Sequence, residues 1–371
     1  MTYYTNGFGH LFPVEGAYGF DEVVGTTLTD YAATTGRGST PALRSDWSST
    51  SRGADSGWAV DLDDDGDLHV GMWIRWAAAG GSPGDGLMRL FTLDIDGSRA
   101  LQVVAAVGTD YAGDGLASGQ VALLDGVDDM GAGGSDLGSL AGDVLAVSTD
   151  AGWPTATSGN NERHVTCSFL RGDGSGRFVM TIDGAVVIDQ ENITNLAVSE
   201  GSLTRFLLTL KSSNTSGSWP RTVRVDDLWI DSVTNWGDAR VLTYQPVSQG
   251  FHDEGVPTGA ATGWEAVAGA PPDLGDYITL GDGEKDSHVM DEVSDGERAA
   301  VAGVLHRNYL TSDFPTNTFV RIDGTDHETG EVPAKPGGGS GYVVIKTNPD
   351  TDAAWTLSDL AALEAGFEGA T

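Results

Sequence analysis

The sequence predicts an all-β protein built as two domains. Three observations point there. Helical periodicity is nearly absent, short runs of alternating apolar and polar residues recur along the whole chain, and these runs are bounded by Gly, Asp, Ser and Asn.

In chain order the expected strands are Gly57 to Leu62, Leu68 to Trp76, Met88 to Ile95, Ala100 to Val107, His164 to Arg171, Gly176 to Ile182, Ala185 to Gln190, Thr204 to Lys211 and Val223 to Ile230. Two of the turns between them are legible. Asp96-Gly97 and Asp183-Gly184 each separate two alternating runs, and Asp-Gly suits the positive φ that a type I′ hairpin turn needs. Between Thr109 and Gly159 the chain is rich in Gly, Asp and Ser, which reads as long loops with one or two strands. After Ile230 the texture changes to a run dense in Gly, Pro and Asp, so the domains are expected to be 1–235 and 236–371. In the second, strands are expected at Asp276 to Leu280, Glu297 to Leu305, Phe319 to Ile322 and Gly341 to Thr347, with Pro333 to Gly341 (PAKPGGGSG) as a flexible loop. The end, TLSDLAALEAGFEG, reads as a helix: Thr356 or Ser358 can cap it, and Leu360, Leu363 and Phe367 would share a face.

Formal charge is −34, from 54 acidic and 20 basic residues spread along the chain. Phosphates would be repelled at most faces, so nucleic acid is a poor partner. Self-repulsion of this size weakens a compact state in dilute buffer, yet at molar salt the Debye length falls to about 3 Å and the repulsion largely vanishes. Only Lys211, Lys285, Lys335 and Lys346 are lysines. Scarce lysine beside abundant Asp, Gly, Ala and Thr fits a halophile, with an ordinary acidic secreted protein of a high-GC bacterium as the alternative. The expected result of size-exclusion chromatography with light scattering is a defined oligomer at molar NaCl that dissociates or unfolds near physiological salt; a salt-indifferent monomer would refute it.

Cys167 is the one cysteine, which leaves no intramolecular disulfide and no Cys-x-x-Cys site. It lies in an alternating run and reads as a small buried hydrophobe. The N-terminal residues have neither a basic region nor an apolar stretch, and about 18 apolar residues never run together, so neither an export signal nor membrane insertion is expected.

The segment from Gly57 to Asp231 resembles the concanavalin/laminin-G-like jelly roll. An early Trp-bearing strand pair, the FVMTIDGAVVID hairpin at Phe178 to Asp189 and the closing VRVDDLWI strand at Val223 to Ile230 carry the likeness. The following segment is similar to the C-terminal module of tailed-virus virion proteins, through Gly263-Trp264, Pro271-Pro272-Asp273, Asp276-Tyr277, Trp355 and Leu363 to Phe367. The resemblance implies a structural component of a virus particle, in capsid, tail or baseplate, assembled in the host cytoplasm. Its partners would be other virion proteins, further copies of itself and a host glycan or S-layer glycoprotein. A secreted carbohydrate-binding adhesin without a role in the particle is the alternative, with a polysaccharide-degrading enzyme ranked below it.

Ten tryptophans supply candidate contacts. Trp47, Trp153, Trp219 and Trp236 lie in turn-rich segments, where an exposed indole could stack on a glycan or seat a protein partner, whereas Trp58, Trp73, Trp76 and Trp229 lie in strands. DLDDDGDL, from Asp61 to Leu68, opens like an EF-hand loop, but its twelfth place is Met72 and an alternating run follows. It remains an acidic turn whose Asp61, Asp63 and Asp65 are candidate Ca²⁺ ligands, with Asp110, Asp114, Asp226 and Asp227 as further oxygen donors; no cofactor is required. The seven histidines form no HExxH or close pair. No G-x-S-x-G elbow and no ExDxxE strand with its carboxylates on one face occurs, so the chain is not expected to be an enzyme.

Overall fold

In the computed structural model, residues 57–78, 86–96, 99–107, 116–126, 142–150, 160–208, 220–239, 244–268, 275–291, 304–361 and 363–369 are described, with 2–6, 22–24, 31–32, 42–46, 112–113, 152–153 and 301. The chain divides between Val241 and Leu242 into two compact units.

The first unit is a jelly-roll-like sandwich of two antiparallel sheets. In one, the order is Ala185–Ile193, Gly176–Ile182, Asn160–Leu170, Leu68–Ala78, Pro220–Asp231, Ala42–Asp46 and Tyr31–Ala32, and Thr2–Asn6 also pairs with Pro220–Asp231. The other runs Gly142–Val147, Val121–Gly126, Arg99–Val107, Gly86–Ile95, Leu203–Leu208, Gly57–Asp64 and Glu22–Val24. Alternation decides which residues meet between them. Val165, Cys167 and Phe169 point inward, where Phe169 meets Phe91 edge-on at 6.2 Å and Phe178 at 5.0 Å. Burial pushes the Cys167 thiol pKa well up, so it packs as an inert hydrophobe. Asp183 and Gly184 have φ of 51° and 79°, the two positive angles of a type I′ turn. Between 109 and 159 the strands Val121–Gly126 and Gly142–Val147 extend the second sheet, and Val104, Ala106, Leu116, Ala122 and Leu124 form a small apolar cluster.

The second unit centres on a five-stranded antiparallel sheet, in the order Pro246–Asp253, Lys285–Met290, Glu364–Gly369, Thr316–Ile322 and Thr325–Val332. Val320, Ile322, Ile345, Trp355 and Leu363 make its core, and the Trp355 indole donates to the carbonyl of Ile345 at 2.9 Å. Asp323 and Gly324, with φ of 48° and 84°, close the hairpin between its last two strands in chain order before the terminal one.

Two expectations about the second unit are corrected. The terminal helix is a single turn, Leu357–Leu360, capped by Thr356 and Asp359 in a capping box. The chain then becomes the strand Glu364–Gly369, because both neighbouring strands pair with it and Gly366 leaves the room that the Phe319 ring fills. Residues Lys335–Ile345 form a strand paired with Val304–Ser312, so PAKPGGGSG is largely extended sheet backbone. Of the strand expected from Glu297 to Leu305, most lies outside the described residues.

Candidate functional site

Of the four expected contact tryptophans Trp153 and Trp236 are described, and they lie in different surroundings. Trp153 is 1% exposed and offers no indole face, because the backbone around it is tied down: its N–H donates to the carbonyl of Gly119 at 2.9 Å. This corrects the expectation of an exposed contact. Trp47 and Trp219 lie outside the described residues. Trp236 is half-buried, in a strap (Ser232 to Asp238) that folds back over the outer face of the first sheet. Its indole donates to Asp231 Oδ2 at 3.1 Å, Asn235 donates to Ser168 Oγ at 3.0 Å, and His164 Nδ1 lies 3.6 Å from Asp238. Beneath the strap, His69 Nδ1 meets Ser168 Oγ at 2.8 Å. Burial lowers the His69 pKa against the pull of Asp67 and Asp231. The Trp229 ring occupies the space above Gly71, where any Cβ would collide with it at 2.2 Å. This face is closed: Trp73 and Trp229 are 3% and 2% exposed.

The acidic turn does not converge on a point. Asp65 accepts from the Ser202 hydroxyl and Asp67 from the Arg171 N–H at 2.7 Å, while Asp61 is exposed on its strand, opposite Arg205. The side chain of Asp63, and Asp110 and Asp114, lie outside the described residues. Asp226 and Asp227 sit buried at a bulge, where Asp226 Oδ1 accepts from the Asp227 N–H at 2.8 Å. Among the described residues no group of three His, Cys, Asp or Glu is placed to hold a metal ion.

The arrangement best suited to meet a ligand is on the second unit. Pairing places Lys285, Ser287, Glu364, Glu368, Phe319, Arg321, Asp326 and Glu328 on one face of the five-stranded sheet. The first strand, Pro246–Asp253, breaks register between Gln249 and Asp253, and the resulting arm folds over this face. The Phe251 N–H donates to Glu364 Oε2 at 2.8 Å, and the His252 N–H donates to Ser287 Oγ at 3.0 Å. Gly250 makes the approach feasible, since a Cβ there would lie 2.4 Å from Glu364 Oε2.

Asp326 is the hub. It accepts from Arg321 at 2.5 Å and Lys285 at 3.2 Å, and its Oδ2 lies 2.8 Å from His252 Nε2. Burial would raise its carboxyl pKa, but these three bonds hold it below the usual range. Lys285 is displaced upward for the converse reason: burial lowers its pKa, and the bonds and charges of Asp326 and Glu368 together outweigh that. Arg321 is pinned beneath the Phe251 ring, its guanidinium carbon 3.9 Å from the ring centroid. Phe251 itself is 67% exposed. The outcome is an aromatic platform held by a cation, an arm and a carboxylate hub, with planar polar groups beside it.

Sequence reading passed over this site because its parts are spaced across 252, 285, 321 and 326. One signal was available. RIDGTDH is a hairpin around Asp-Gly, and its register sets Arg321 directly opposite Asp326.

No protein-family model matches the chain, and no curated protein matches it. Some solved structures are similar to the chain. An endo-β-1,4-glucuronan lyase from Trichoderma reesei is 15% identical, over 63% of this chain and 96% of its own, with a TM-score of 0.42. An alginate lyase from Chlorella virus is 8% identical, over 58% and 94%, at 0.36. The receptor-binding domain of a mosaic botulinum neurotoxin C/D is 9% identical, over 90% and 89%, at 0.34. The all-β, jelly-roll-like fold itself is read from the chain's own antiparallel sheets.

The neighbours also correct the expectation that the chain is not an enzyme, since several of them are polysaccharide lyases. The missing ExDxxE strand bears on hydrolysis by paired carboxylates alone. Paired carboxylates serve hydrolysis, whereas elimination needs a base and a neutralised substrate acid group, and leaves no such motif.

Proposed function

We propose that this chain is a surface-exposed structural component of a tailed-virus particle whose second unit contacts a glycan on the host surface. The observation that supports the contact is the Phe251 ring, 67% exposed and fixed on Arg321 at 3.9 Å. A pre-ordered aromatic face with hydrogen-bonding side chains around it binds a sugar ring without first having to be immobilised. The setting on a particle rests on the likeness of residues 236–371 to virion modules, and further copies of the chain and other particle proteins are its partners there. Among the described residues no helix is long and apolar enough to cross a membrane.

Binding of labelled chain to halophile cell envelopes tests the contact. Phe251→Ala is expected to weaken binding about tenfold, the loss of one aromatic contact of roughly 1.5 kcal/mol, and periodate oxidation of envelope sugars to abolish it. Envelope binding indifferent to both treatments would sink the reading, and absence of the chain from purified particles by mass spectrometry would sink its setting.

A further inference from the structure

The charges around the Phe251 platform say which sugars it accepts. Two cations, Lys285 and Arg321, share the sheet face with four carboxylates, Asp326, Glu328, Glu364 and Glu368. Both cations are already engaged. Lys285 lies 3.2 Å from Asp326 and 3.5 Å from Glu368, and Arg321 is bonded to Asp326 at 2.5 Å with its guanidinium against Phe251. The carboxylates outnumber the cations by two, and one of them is uncommitted: Asp326, Glu364 and Glu368 are bonded within the site, with Glu368 and Lys285 keeping 27% and 28% of their side-chain surface in solvent, whereas Glu328 is exposed. What the site offers a newcomer is therefore an aromatic face and acceptor oxygens.

Resting on the glycan-contact reading above, we infer that the Phe251 platform selects neutral or amino sugars and rejects uronate-bearing ones. Hydroxyl groups and ammonium groups donate to carboxylates, and an ammonium adds a charge-assisted bond. A uronate carboxylate stacked on Phe251 meets like charge from Glu328, Glu364 and Glu368, and finds Lys285 and Arg321 held by Asp326. To bind it, the site would have to break the bonds that order the platform. The ligand class thus differs from the polyuronates named for the lyases to which the chain is similar.

The test is calorimetric titration of the whole chain with three hexasaccharides, of glucosamine, of glucose and of alginate, in the lowest NaCl at which its circular dichroism is native. Glucosamine and glucose oligomers are expected to bind at least about tenfold more tightly than alginate, with the glucosamine advantage shrinking in molar NaCl as charges are screened. Glu328→Lys, at an exposed position that folding tolerates, is expected to raise alginate affinity and lower glucosamine affinity severalfold. Alginate binding as tight as glucosamine, lost in Phe251→Ala, would overturn the selectivity and leave the glycan contact standing. Failure of all three sugars, or sugar binding untouched by Phe251→Ala, would overturn both.

Discussion

Replacing Asp286 by alanine is expected to destabilise the second unit by about 1–3 kcal/mol, the usual cost of leaving a polar group inside a protein without its partner. Asp286 is fully buried, on the sheet face opposite the Phe251 platform. Its Oδ1 accepts from the Gln249 side chain at 2.9 Å and its Oδ2 from the Gly255 N–H at 3.1 Å. His288 Nε2 lies 2.8 Å from Oδ1, close enough to pair although off the hydrogen-bond direction. The two donors bracket the arm that carries Phe251 and His252, so one carboxylate anchors both ends of it. Alanine leaves the part-buried Gly255 N–H without its acceptor, and takes from the Gln249 amide one acceptor of three, the others being the carbonyls of His252 and Ser287. Asp286→Asn is expected to cost less, since one oxygen survives, but its amide must face one of the two donors. Urea unfolding checks the order, with wild type most stable, asparagine next and alanine least, and sugar affinity should fall in step. A second-unit transition in Asp286→Ala with an unchanged midpoint would show that the carboxylate does not anchor the arm.

Asp286 also shows where sequence reading stops. Strand positions were legible because alternation and turn chemistry are local. Gly176–Ile182 is read to the residue, and Asp183-Gly184 can do little except turn. What alternation cannot tell is whether the second face of a strand meets water. Trp73 and Trp229 alternate away from the interior of the sandwich and are still buried, on the face where a strap bonds Ser168, Asp231 and His164 through Asn235, Trp236 and Asp238. The ending was misread for a related reason. Leu360, Leu363 and Phe367 satisfy a helical spacing, but pairing with Lys285–Met290 and Thr316–Ile322 on both sides outweighs one turn of local preference. For the candidate site, each of His252, Lys285, Arg321 and Asp326 is unremarkable within its own run. They become a site only through the order of strands in the sheet, which is long-range information that no window of sequence contains.

Acid is expected to weaken the second unit from about pH 6.5 downward, and the residue responsible is His306. It sits on the strand Val304–Ser312, and its Nδ1 has no hydrogen-bond partner among the described residues. Burial, reinforced by the neighbouring His288, pushes its pKa down to about 4. An unfolded imidazole titrates near 6.5, so between these values the unfolded chain binds the extra proton and the folded one refuses it. The folded pKa lies below the unfolded one. Stability is therefore complete above about pH 6.5, declines as pH falls towards 4, and loses about 3 kcal/mol in all from this group. Asp326, whose pKa is lowered, adds its own loss only at lower pH, as its carboxylate takes a proton. Urea midpoints at pH 7, 5.5 and 4.5 are expected to fall steadily in wild type and to be nearly level over that range in His306→Leu, which removes the titrating group and leaves an apolar side chain in an apolar place. The same slope in both proteins would move the acid sensitivity to another group.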